Sequence, residues 1–148
     1  MTYQSEAELE NLLITQLQTQ GYEQVAIRNY SELEENFKRQ FFAFNADKLT
    51  SPLSDKEWER VFNHLLGKSV FQSAKILRDK FILERDKGDK VYVSFINDDH
   101  TKNLFQVTHQ TTVVGKYVNR YDVTLLINGL PLIQIELKRR GADIKRSR

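Results

Sequence analysis

The sequence predicts an α/β (α+β) fold, in which a mostly helical first half precedes a sheet of four or five strands. The apolar residues repeat with helical spacing up to about residue 80 and alternate after it. Three serines are each followed three residues later by glutamate, which is the capping-box pattern of a helix start. A length of 148 residues with 40% hydrophobic content suits a single domain, residues 1–148, with one core.

The capping pairs place three helices, and a fourth follows from its apolar spacing. The pairs are Ser5/Glu8, Ser31/Glu34 and Ser54/Glu57. The first helix ends at Gly21, the second covers residues 33–49, and the third ends at Gly67. Residues 69–80 are expected to form the fourth helix, with Val70, Ala74 and Leu77 facing inward. The inward residues expected on the other helices are Leu9, Leu13, Leu17, Trp58, Val61, Phe62 and Leu65.

The second half contains alternating segments separated by turn residues. Residues 81–99 predict two strands joined by the turn Asp86–Asp89, with Val91, Val93 and Phe95 on one face. Residues 103–114 predict a third strand. The segments 122–127 and 130–137 flank Asn128-Gly129, a strong signal for a β-hairpin.

Composition excludes several classes of function. The chain has no cysteine, so a disulfide, a thiolate metal site and a cysteine nucleophile are excluded. His64, His100 and His109 lack the spacing of metal ligands. There is no targeting signal and no run of ~20 apolar residues that would span a membrane, so we expect a soluble cytoplasmic protein. The chain also lacks a Walker motif and therefore has no expected ATP site.

Charge is concentrated at one end of the chain. The net charge is +2, but residues 138–148 carry six basic residues and one acid, which leaves the other residues at −3. A basic segment next to carboxylates favours a phosphate-binding site. A solvated charged tail is the alternative interpretation.

Asp122, Glu136 and Lys138 stand out in the last hairpin because its other residues are mostly apolar. A simple two-residue loop would put the two carboxylates on different faces. A three-residue loop or a bulge would put Asp122 opposite Glu136, Thr124 opposite Gln134 and Leu126 opposite Leu132. Because this register matches the apolar faces of both strands, we favour the three-residue loop despite the Asn-Gly pair.

In that register the two carboxylates lie ~5 Å apart at Cβ and repel unless a cation lies between them. A divalent cation such as Mg²⁺ suits two carboxylates, and Lys138 could then act on the attacking water or on the developing phosphate charge. This arrangement indicates phosphodiester hydrolysis. An exposed Asp–Lys–Glu ladder on a solvated face is the structural alternative.

The pattern D-x₁₃-E-x-K resembles the PD-(D/E)XK nuclease superfamily. The strings NRYDVTLLINGLPLIQIELKRRG, YQSEAELENLLITQLQTQGYE and LSDKEW are more specific. They resemble the N-terminal endonuclease domain of the restriction (R) subunit of type I restriction-modification enzymes, over nearly the whole chain.

The resemblance implies a restriction-endonuclease-like fold, with a central mixed sheet flanked by helices and the first helix beside the catalytic hairpin. It implies that Asp122 and Glu136 bind Mg²⁺ and that Lys138 is the catalytic lysine. Superfamily nucleases often add a glutamate from the first helix, and Glu10 or Glu6 could supply it. Basic residues expected to bind DNA are Arg139, Arg140, Lys145 and Arg146.

The resemblance also implies a function and partners. The intact R subunit would cut double-stranded DNA after ATP-dependent translocation, together with methylation and specificity subunits, in a bacterial or archaeal cytoplasm. The family's helix with a Q-x-x-x-Y motif and its motor domains would follow GADIKRSR, so we expect a C-terminally truncated fragment. The superfamily proline before the first aspartate is Tyr121 here. The alternative is a catalytically incompetent fragment that serves only as a DNA-binding or subunit-docking module.

Overall fold

The computed structural model describes residues 5–66, 69–114 and 118–137. The helices are α1 (Glu6–Thr19), α2 (Tyr30–Phe44), α3 (Asp55–Leu65) and α4 (Val70–Arg78), with a short 3₁₀ turn at His100–Lys102. The strands are β1 (Glu23–Gln24), β2 (Phe81–Glu84), β3 (Lys90–Val93), β4 (Phe105–Val114), β5 (Val118–Ile127) and β6 (Leu130–Ile135). The predicted order of helices followed by strands is therefore confirmed, apart from the two-residue β1.

Most helix starts follow the predicted caps. The side chain of Ser5 accepts from the backbone N–H of Glu8, and Ser54 forms a complete capping box with Glu57. The predicted start of α2 at Ser31 is wrong, because Asn29 caps the helix by accepting from the Glu32 N–H. Its predicted end at residue 49 is also wrong, since α2 ends at Phe44.

A four-stranded mixed sheet lies at the centre, in the order β1–β4–β5–β6. β1 is parallel to β4, whereas β4–β5 and β5–β6 are antiparallel. β2 and β3 form a separate antiparallel hairpin, so the expectation of one sheet containing all the later strands is wrong. The missed strand β1 is only two residues long, too short to give an alternating pattern.

Helices cover both faces of the central sheet. Ile14 of α1 packs against Val107, Val123 and Leu125 on one face. Leu33 of α2 packs with Ile27 and Leu126 on the other face. Alternation along a strand explains this division, because consecutive residues of β5 point to opposite sides. The mixed sheet flanked by helices, as implied by the resemblance, is confirmed.

The largest apolar cluster lies between α2, α3 and the β2–β3 hairpin. Its buried members are Phe37, Phe41, Leu49, Val61, Leu83, Val93 and Phe95. Ile76 and Leu77 of α4 pack against it, but Ala74 is exposed, contrary to the prediction. The described part of the chain contains no helix with the length and hydropathy required to span a bilayer.

Candidate nuclease site on the β5–β6 hairpin

The β5–β6 hairpin combines a two-residue turn with a β-bulge. Ile127 pairs with Leu130 across Asn128-Gly129, and the register shifts between Leu125 and Leu126. Beyond the shift, Thr124 pairs with Gln134 and Val123 pairs with Ile135. The favoured three-residue loop is therefore wrong, and the bulge alternative gives the expected pairing of Thr124 with Gln134. The expected partner of Leu126 is also wrong, since Pro131 takes that position.

The turn is anchored to the rest of the protein. Asn128 and Gly129 both have positive φ, 52° and 85°, as a type I′ turn requires. The Asn128 side chain accepts from the Leu104 N–H at 2.8 Å and donates to the Phe95 carbonyl at 2.7 Å. A Cβ at position 129 would lie 2.7 Å from the Cα of Phe37, so glycine lets the turn approach α2 closely. These contacts fix the hairpin's register relative to the main core.

Asp122 lies at the end of the hairpin remote from the turn. Continuing the register from Thr124–Gln134 and Val123–Ile135 puts Asp122 opposite Glu136. Its Oδ2 accepts a hydrogen bond from the backbone N–H of Leu137 at 2.8 Å. Asp122 is partly buried, whereas Glu136 is exposed. The carboxylate of Asp122 is therefore oriented toward the chain segment that carries Glu136.

The sheet face shared by Asp122 and Thr124 is only partly open. Thr124 is 2% exposed and Leu126 is fully buried, because α2 covers this part of the face. Two exposed residues follow on the other strand: Gln134 lies on β6, the edge strand, and Glu136 lies just beyond its end. Solvent therefore reaches this face along the edge strand and at its end, and the face is closed at Thr124 and Leu126. The Asp–Lys–Glu ladder stays an alternative, because Lys138 lies outside the described residues.

The basic candidates all lie outside the described residues; they are Lys138, Arg139, Arg140, Lys145 and Arg146. The predicted catalytic lysine and the predicted DNA contacts therefore stay predictions.

The two glutamates of α1 have different environments. Glu6 is exposed, whereas Glu10 is 8% exposed. Glu10 Oε1 lies 2.6 Å from Nδ1 of His109, and its Oε2 accepts from the Gln110 amide at 2.8 Å. Because α1 covers the face of Val123 and Leu125, alternation assigns Glu10 and Asp122 to opposite faces of the sheet.

His109 and Gln110 are polar residues that the sequence reasoning did not connect to Glu10. In the sequence, His109 lacks metal-ligand spacing, and its partner Glu10 lies 99 residues away. Gln110 has φ 58°, which an alternating pattern does not reveal. A non-glycine residue at positive φ costs about 1–2 kcal/mol. No short-range signal could have revealed this cluster.

The donor set on the hairpin fits Mg²⁺ in its chemistry. Within residues 5–66, 69–114 and 118–137, no three histidine or acidic side chains are close enough to hold a metal together. Mg²⁺ needs no such cage, because it usually binds through one or two carboxylates, with water and substrate phosphate as its other ligands. Asp122 and Glu136 are carboxylates on adjoining strand ends, so they match that requirement.

Comparison with known proteins agrees with the family resemblance that the specific strings in the sequence indicate. Residues 3–148 match the family described as Type I restriction enzyme R protein N terminus. The endonuclease subunit of the Staphylococcus aureus type I restriction enzyme SauMSSORF170P is 53% identical over 146 residues, covering 97% of this chain and 16% of that protein. The corresponding SsaAORF53P subunit of Staphylococcus saprophyticus is 52% identical, with the same coverage.

A more distant relative supports the same assignment. The EcoprrI endonuclease subunit of Escherichia coli is 34% identical over 152 residues, covering 97% of this chain and 47% of that protein. The chain thus spans about a sixth of the staphylococcal relatives and about half of the E. coli one. Because the family match covers nearly every residue, the chain belongs to the family of N-terminal regions of type I restriction enzyme R proteins.

Proposed function

We propose that this chain is the DNA-cleaving domain of a type I restriction enzyme R subunit, and that it hydrolyses phosphodiester bonds of duplex DNA with Mg²⁺. Two observations support the proposal: the hairpin register, which runs to Val123–Ile135 and, when continued by one residue, puts Asp122 opposite Glu136, and the hydrogen bond that the Asp122 carboxylate accepts from the Leu137 N–H. The names of the relatives, all endonuclease subunits, support a nuclease role.

In this proposal each residue of the hairpin has a separate role. Asp122 and Glu136 hold the metal, and the Leu137 N–H keeps the Asp122 carboxylate in one orientation. Mg²⁺, when bound, supplies positive charge that polarises the scissile phosphate and acidifies water. Lys138 orients the attacking water and stabilises the negative charge that develops on the phosphate. Arg139, Arg140, Lys145 and Arg146 attract the DNA backbone in a salt-dependent manner.

The larger activity belongs to the intact subunit. Cleavage would follow ATP-dependent translocation by other parts of the R subunit, in a complex with methylation and specificity subunits. The isolated 148-residue chain should accordingly bind duplex DNA weakly and cut it slowly or not at all.

Calorimetric titration with Mn²⁺, a spectroscopically useful substitute for Mg²⁺, tests the metal site in the isolated chain. Uptake should be lost in Asp122→Ala and kept in Asp98→Ala, which removes an exposed aspartate from a loop. Equal affinity in wild type and Asp122→Ala would refute the proposed ligand.

Plasmid cleavage by the intact subunit, assembled with its partner subunits, tests the activity. The same Asp122→Ala change should abolish cutting, and Asp98→Ala should leave it unchanged. Cutting that persists in Asp122→Ala would refute the proposed site, whereas metal uptake without cutting in wild type would favour a docking or DNA-binding module.

A further inference from the structure

Gln110 is an irregular residue inside a ten-residue strand. Its φ of 58° lies in the left-handed region. Among the described non-glycine residues, Asn128 is the only other one with a positive φ. The value at Asn128 is explained by the type I′ turn, but Gln110 is in no turn. Backbone outliers of this kind persist only where the surrounding contacts hold them, and they concentrate at functional sites.

The contact that holds Gln110 comes from α1. Its side-chain amide donates to Glu10 Oε2 at 2.8 Å, and the neighbouring His109 Nδ1 lies 2.6 Å from Glu10 Oε1. Consecutive residues of a regular strand point to opposite faces. Both side chains nevertheless reach one nearly buried carboxylate, because the left-handed backbone at Gln110 redirects its side chain.

The irregularity lies next to Asp122. The β4–β5 register is constant on either side, with His109 paired to Val123 and Thr111 paired to Tyr121. Between these two pairs, Gln110 lies opposite Asp122. Both are described residues, but the ladder does not pair them. On the other side of β5, the Asp122 carboxylate accepts from the Leu137 N–H.

We propose that Gln110 is a positioning residue for Asp122. Its side chain, tied to Glu10 on α1, holds the left-handed backbone that interrupts the β4–β5 ladder and lets Asp122 turn toward the end of β6. The importance of that orientation rests on the proposed function, since Asp122 is the proposed metal ligand. The orientation of Asp122 can be measured without metal, because its carboxylate accepts a hydrogen bond from the Leu137 amide, whose exchange rate reports that bond.

Hydrogen exchange of the Leu137 amide, followed by NMR in the metal-free 148-residue chain, is the test. Asp122→Ala should speed this exchange about fivefold, as loss of one hydrogen bond does. Gln110→Ala and Glu10→Ala should each give a similar increase, because each breaks the tie between β4 and α1. Glu10→Ala is the second variant in case Gln110→Ala fails to fold. It should keep α1 intact, because alanine is the best helix former.

His109→Ala is the matched control, because it removes the other partner of Glu10 and leaves the Gln110 bond in place. Its Leu137 exchange should equal that of wild type, and exchange of the α3 amides should be unchanged in every variant. An unchanged Leu137 rate in Gln110→Ala or in Asp122→Ala would overturn the proposal. An equal increase in His109→Ala would also overturn it, because general loosening of α1 would then be the cause.

Mn²⁺ titration of the same proteins separates this inference from the proposed function. Gln110→Ala should weaken Mn²⁺ binding about tenfold, as is typical when a residue that orients a ligand is lost. If wild type takes up no Mn²⁺, the proposed metal site fails, but the exchange rates still decide whether Gln110 positions Asp122. If Mn²⁺ binds normally in Gln110→Ala, the positioning role is refuted.

Discussion

The buried ion pair between Glu57 and Arg85 should make the stability of this domain depend on pH. Glu57 is 3% exposed, and its Oε2 accepts from Arg85 Nε at 2.7 Å and from the Asp86 N–H at 2.8 Å. Burial alone would raise the pKa of Glu57. The hydrogen bonds from Arg85, Ser54 and Asp86, together with the Arg85 charge, outweigh burial and lower the pKa from 4.5 to about 2.

The sign and size of the effect follow from the two pKa values of Glu57. Because its pKa is lower in the folded protein than in the unfolded chain, the pair stabilises the fold above pH 4.5, and this stability is lost as pH falls toward 2. The full shift corresponds to roughly 3 kcal/mol, an upper bound because Glu57 and Arg85 line a cavity that opens to the surface. Between pH 7 and pH 3 the loss from this group should reach about 1–2 kcal/mol.

Glu57→Gln, studied by urea unfolding at pH 7 and pH 3, tests this expectation. The single tryptophan, Trp58, packs against Phe37 and Phe41 and reports the unfolding of the main core. The variant should be about 2 kcal/mol less stable than wild type at pH 7 and should lose less stability on acidification. Glu59→Gln removes the same charge from an exposed site on α3 and should behave as wild type. An equal pH dependence in wild type and Glu57→Gln would refute the reasoning.

Three further predictions concern the hairpin. Gly129→Ala should lower the free energy of unfolding by about 2–4 kcal/mol, since it places a Cβ 2.7 Å from the Phe37 Cα at positive φ; a loss below 1 kcal/mol in urea unfolding would contradict the close approach. Lys138→Ala in the intact subunit should abolish DNA cleavage and spare Mn²⁺ binding and ATP hydrolysis, whereas loss of metal affinity equal to that of Asp122→Ala would make the lysine a ligand. Glu136→Gln should abolish both cleavage and Mn²⁺ uptake, and calorimetry showing normal uptake would remove it from the metal site.

Local signals predicted the elements of this fold well because each element carries its own pattern. The capping box at Ser54 and Glu57 determines the start of α3 with groups three residues apart. The start of α2 was predicted wrongly, because Ser31 matches the capping-box motif but Asn29 caps the helix. Asparagine is as good an N-cap as serine, so only the path of the chain into the helix distinguishes them.

The hairpin register was predictable in part. Matching apolar faces predicted that Thr124 lies opposite Gln134, and it does. The same matching favoured a three-residue loop, whereas the structure has a two-residue turn with a bulge; both change the register by one residue. Packing decided it, since the Asn128-Gly129 turn binds Leu104, Phe95 and Asn103 through one side chain.

The sequence by itself determined the family, the order of helices and strands, and the pairing of Asp122 and Glu136 as candidate ligands, because these depend on residues close together in the chain. The tertiary structure decided which face of the sheet each helix covers and where Glu10 is held. Glu10 meets His109 and Gln110 across about a hundred residues, as the separations of 99 and 100 show. Such contacts depend on how α1 packs against β4, and hydrophobic spacing specifies that a face is buried without specifying its partner.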